Sequence, residues 1–121
     1  MHSRIFSFSN AAFAEILKTL KTKKSSCRLM AHGFSMSPFI KNGDVITVAP
    51  VTKTSNFLGL CLACSLPETQ RLVMHRVVAQ ANDGRLCLKG DNVISVDPLI
   101  SPENILGKIS RIERNGKEIR F

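Results

Sequence analysis

The sequence predicts a mainly-β domain with one N-terminal α-helix, and three observations carry that expectation. From Cys27 onward apolar and polar residues alternate in short runs, the period of a half-buried strand. Turn dipeptides separate those runs: Asn42-Gly43, Asp83-Gly84 and Asn115-Gly116. Strand-like and helix-like segments do not alternate, which argues against a parallel α/β architecture. At 121 residues the chain has the length of one globular domain. The one internal boundary expected separates an N-terminal tail and helix, 1–26, from the β domain, 27–121.

The elements follow in order. The first ten residues read as a loose end, after which Asn10 caps a helix starting at Ala11. Phe13, Ile16, Leu17 and Leu20 fall on one apolar stripe of that helix. Lys18, Lys21, Lys23 and Lys24 gather toward its C-terminal end, where they suit the helix dipole, and Ser25-Ser26 ends it. Strands are then expected at Arg28 to Ala31, Asp44 to Val48, Leu60 to Leu66, Arg71 to Gln80, Arg85 to Lys89, Ile105 to Glu113 and Lys117 to Phe121. The last two flank Asn115-Gly116, the strongest short hairpin signal in the chain. A two-residue turn there sets Ile112 opposite Ile119 and Glu113 opposite Glu118, a like-charge pair that Arg111 and Arg120 offset diagonally.

Composition narrows the function classes. With 44% hydrophobic and 21% charged residues the chain is ordinary globular material. Seventeen Lys plus Arg against nine Asp plus Glu give +8, a field that attracts anions, nucleic acid or acidic lipid. The basic helix end suits a membrane surface or a protein partner. The absence of Trp and Tyr leaves little surface for base stacking, so no specific nucleic-acid partner is expected. No apolar run approaches the roughly 20 residues that span a bilayer, and no signal-peptide pattern is present. The chain therefore reads as a cytoplasmic protein. Cys61 and Cys64 lie three apart in a strand and point to opposite faces, so they cannot share a metal ion. Together with Cys27 and Cys87 they read as reduced packing residues, and neither metal nor cofactor is expected.

The chemistry resides in a few polar side chains. Ser35 lies in Gly33-Phe34-Ser35-Met36-Ser37-Pro38, where Gly permits unusual backbone angles and Pro fixes φ soon after, a place to present a side chain. His75 interrupts the alternating strand Leu72 to Val78 on the side of Val73 and Val77. An imidazole there is either a satisfied core group or a base. Lys89-Gly90-Asp91-Asn92 forms a tight polar turn, and Asp97-Pro98 supplies a second acid soon after Asp91. Ser, His and Asp are the types that hydrolytic catalysis needs, because a hydroxyl attacks only once a base takes its proton.

In this order, the boxes Gly33-Phe34-Ser35-Met36-Ser37-Pro38, Asn42-Gly43-Asp44, His75-Arg76-Val77, Lys89-Gly90-Asp91-Asn92, Asp97 and Leu106-Gly107-Lys108 resemble the signal peptidase I and LexA-like peptidase superfamily. The resemblance spans about residues 27 to 112. It implies a coiled, mostly antiparallel β-sheet and a serine nucleophile in the Ser-Met box. His75-Arg76-Val77 is similar to the archaeal and endoplasmic-reticulum branch, which uses His where other members use Lys. By that resemblance Ser35 is the nucleophile, His75 the general base and then acid, and Asp97 the group that orients the imidazole, with Asp91 a structural acid. The oxyanion falls to the Ser35 backbone N–H, since Gly33 has no hydroxyl to contribute. An extended polypeptide would lie as an added strand beside Arg28 to Met36 and Arg71 to His75, cut after small residues. That brings Met36 and Met74 to the cleft; core packing is the other reading of Met36. A base that starts near about pH 6.5 implies an acid limb near neutrality.

Signal peptidases carry a transmembrane tether, and none is read here. LexA-like proteins cleave their own linker at Ala-Gly or Cys-Gly, whereas none of the seven glycines follows Ala or Cys. The expectation is thus a peptidase acting in trans on exported precursors or another polypeptide. The rivals are a binding module that kept the fold without the activity, and a basic domain holding nucleic acid through Lys18 to Arg28 and Lys108 to Arg120.

Overall fold

The computed structural model describes residues 5–7, 22, 24–31, 36–51, 56–67 and 72–119. These define β1 (Ile5–Ser7), β2 (Cys27–Met30), β3 (Val45–Ala49), β4 (Cys61–Ser65), β5 (Leu72–Gln80), β6 (Leu86–Lys89), a 3-10 turn (Pro102–Asn104), β7 (Ile105–Arg114) and β8 (Lys117–Ile119). They form one sheet in the order β1-β2-β3-β7-β4-β5-β6, with β8 paired to β7. Every pairing is antiparallel except β1 on β2. The mainly-β class and the seven strands expected after Cys27 are therefore present, each within a few residues of its expected bounds.

Two expectations for the N-terminal region need correction. Residues 1–10 are not wholly a loose end, because Ile5–Ser7 pairs with Arg28 to Met30 and adds a strand to the sheet. Three residues are too few for an alternating pattern to reveal a strand. The helix expected from Ala11 falls almost wholly outside the described residues. The described elements are strands and a 3-10 turn, so that helix is not borne out among them. Lys24, assigned to its basic end, has φ of 55°, a left-handed conformation that cannot continue a helix.

Alternation along each strand divides the core into two clusters. One gathers Leu29, Ile46, Val48, Cys61, Ala63, Leu72, Met74, Leu106 and Ile112, with Met36 and Ile40 packed among them. The other gathers Leu62, Cys64, Val73, Val77, Leu86, Leu88, Ile100 and Ile105. All five residues of β4 are buried because the strand is covered on both faces, Cys61 and Ala63 going to one cluster and Leu62 and Cys64 to the other. The two thiols thus point apart, as the strand period requires. Fully burying a side chain such as Leu62 or Leu88 contributes about 1.5–3 kcal/mol.

The closing hairpin has the expected register, Ile112 opposite Ile119 and Glu113 opposite Glu118. Asn115 and Gly116 both take positive φ, 53° and 77°, as the type I′ turn demands. Arg111 offsets the like charges, its Nε lying 3.2 Å from Glu118 and 3.8 Å from Glu113.

On β7, which holds β3 on one side and β4 on the other, Gly107 sits where a Cβ would come within 2.7 Å of the Ala49 carbonyl oxygen. Backbone cannot yield as a flexible side chain does. Gly107→Ala should lower stability by about 1–3 kcal/mol, read as a shifted urea midpoint. An unchanged midpoint would contradict this close approach.

Candidate active site

Among the sequence-predicted site residues, the structure brings His75 and Asp97 together. His75 lies in the middle of β5, in register with Leu62 of β4, and alternation puts it on the side of Val73 and Val77. Its Nδ1 is hydrogen-bonded to Asp97 Oδ2. The side chains are 12% and 19% exposed, so the pair is screened from water without being sealed. With Asp97 ionised, its carboxylate would only accept, which would put the ring proton of a neutral His75 on Nδ1. In that tautomer Nε2 would be the basic nitrogen.

Backbone hydrogen bonds hold Asp97 in place. Its N–H donates to the Leu88 carbonyl at 2.8 Å. Three residues later Ile100 and Leu86 exchange hydrogen bonds of 2.8 and 3.0 Å, forming an isolated bridge. The segment from Asp97 to Ile100 thus follows β6, and β6 is itself paired with the strand that carries the histidine.

Asp91 occupies the turn after β6 and accepts both arms of Arg76, at 2.8 Å to each oxygen. Arg76 also donates to the Gly59 carbonyl at 2.9 Å and stacks over the Phe39 ring, 4.5 Å from its centroid. This bidentate pairing holds the guanidinium protonated, its pKa raised above the usual arginine value. The Asp91 carboxylate is thus engaged by Arg76, apart from the hydrogen bond between His75 and Asp97. The Asp91 N–H donates to Met36 Sδ at 3.2 Å. Met36 and Met74 are both buried in the first core cluster. Ser35 and Gly33 lie outside the described residues.

A second clamp, whose partner the sequence did not reveal, holds the turn that follows Met36. Asp44 is 2% exposed, and its carboxylate takes two hydrogen bonds from Arg114, at 2.9 and 2.8 Å, and one from the Lys41 N–H at 2.8 Å. Arg114 also donates to the Phe39 carbonyl at 3.3 Å. The Asp44 backbone is tied to Ala31, which donates to its carbonyl at 2.8 Å. Asn42-Gly43-Asp44 signals the turn, but nothing local names a partner 70 residues away.

The buried thiols are poor nucleophiles. Burial pushes Cys27 up to about 11. It pushes Cys61 up to about 12, with nearby Arg76 lowering and Asp91 raising the value. Among the described residues no group of three or more His, Cys, Asp or Glu side chains is arranged to hold a metal ion. No described helix is long and apolar enough to cross a membrane. Neither a protein-family model nor a curated protein sequence matches the chain.

Burial pushes the Asp44 carboxyl upward, but the hydrogen bonds from Arg114 and the Lys41 N–H outweigh it and hold the group below its ordinary 3.8. A carboxyl depressed in the folded state adds stability that is complete above its unfolded value and lost as pH falls through the folded one. Asp44→Asn should therefore unfold at lower urea than the parent at about pH 7, with the gap narrowing at about pH 3. A gap unchanged between the two conditions would contradict this linkage.

Proposed function

We propose that the chain is a serine endopeptidase of the signal-peptidase-like type, with Ser35 as nucleophile, His75 as general base and Asp97 as the orienting acid. The observation that carries this reading is the His75–Asp97 hydrogen bond. An imidazole set on a largely apolar strand face is held in one tautomer by a carboxylate from a separate loop, at positions the order of motifs had paired. In a purely structural role, a histidine on that face would be satisfied by any acceptor. A proton on Nδ1 would leave Nε2 to act as the base, which is what activation of a serine requires.

The chemistry follows from these roles. Ser35 Oγ attacks the scissile carbonyl while its proton passes to His75 Nε2, and the imidazolium is stabilised by Asp97. The Ser35 backbone N–H holds the oxyanion. His75 then protonates the leaving amine, an acyl-enzyme remains, and water attacks it with His75 again as base. For the substrate, the pairing of β5 offers a place. Leu72 to His75 are paired with β4 on one side, whereas β6 begins to pair only at Arg76. An extended polypeptide added to that edge would reach the imidazole with its backbone hydrogen-bonded. Met36 and Met74, expected at the cleft, are instead buried in the first core cluster, on the face of β5 opposite His75. Exported precursors are one such polypeptide, and the basic N-terminal segment would bring the protein to an acidic membrane surface or a partner.

Incubation with a panel of Ala-x-Ala peptides, read by mass spectrometry, tests the proposal. Cleavage should be lost in Ser35→Ala, and Asp97→Asn should lower kcat by roughly a thousandfold or more. Cleavage by Ser35→Ala at the parent rate would overturn it.

A further inference from the structure

Two contacts converge on Asp91 from residues that directly follow the proposed nucleophile and base. Met36, bonded to Ser35 in the chain, accepts the Asp91 N–H on its thioether at 3.2 Å. Arg76, bonded to His75, holds the Asp91 carboxylate through both arms at 2.8 Å. The same Arg76 stacks on Phe39, and that residue lies in the turn that Met36 opens, where the Ile40 N–H donates back to the Met36 carbonyl at 2.9 Å. Asp91 and Arg76 therefore grip one turn at two points, Met36 and Phe39.

We infer that Met36 is a positioning residue whose sulfur, through its hydrogen bond with Asp91, fixes the serine-bearing chain against the strand of the base. This rests on the peptidase reading and adds to it: the residue after the serine acts by accepting a hydrogen bond, beyond filling space in the core. Leucine fills a similar volume without an acceptor, so it separates the two functions.

The experiment has two readouts on the full chain, each comparing the parent with Met36→Leu. In amide hydrogen exchange by NMR, the Asp91 amide should exchange about tenfold faster in the variant, the scale of one ordinary net hydrogen bond. The Val77 amide, donating to the Leu60 carbonyl at 2.9 Å, should be unchanged and so report that the sheet is intact. A small fluorophosphonate, which does not fill peptide subsites, should label Ser35 about tenfold more slowly in the variant. Loss of a subsite wall alone would leave that rate unmoved. Equal Asp91 exchange in the two proteins would overturn the hydrogen bond. Faster exchange with an equal labelling rate would overturn the positioning role. A parent protein that takes no label at Ser35 would instead overturn the peptidase reading on which the inference rests.

Discussion

The hydrogen bond between His75 and Asp97 is the constraint to which the rest of the site answers. An imidazole on a face otherwise occupied by Val73 and Val77 cannot be left unpaired in a poorly hydrated setting without a cost of about 1–3 kcal/mol. The acceptor comes from the loop after β6, and the exchange between Leu86 and Ile100 keeps that loop on the sheet edge. A carboxylate in that position does two things at once: it fixes which nitrogen carries the proton, and it stabilises the ring when charged.

Around this pair, two guanidinium–carboxylate clamps organise the irregular chain. Arg76 and Asp91 join β5 to the turn after β6, and Arg114 and Asp44 join the end of β7 to the turn before β3. Taking such groups from water offsets much of their attraction, so the pairs contribute modestly to net stability. Their geometry is the larger effect. A planar fork meeting two carboxylate oxygens permits one orientation, and residues 36–44 are held by both forks, through Phe39 and through Asp44.

Much of the sheet was legible in the sequence because its signals are local. Alternation located β2 to β7, and Asn115-Gly116 specified the last hairpin down to the pairing of Ile112 with Ile119. Parity alone separated Cys61 from Cys64 and placed His75 on the side of Val73. What escaped depends on contacts distant in the chain. The partner of Asp44, the stacking of Arg76 on Phe39, and the bulges at Thr47/Val48, Ala63/Cys64 and Val77/Ala79 follow from how strands meet. β1 was missed because three residues carry no readable period.

Nitrogen-15 NMR of the His75 ring most directly tests the central claim. In the neutral ring the account predicts a protonated Nδ1 and an unprotonated Nε2, with that preference weakened in Asp97→Asn. A proton on Nε2 in the parent protein, or a tautomer indifferent to the loss of the carboxylate, would contradict it.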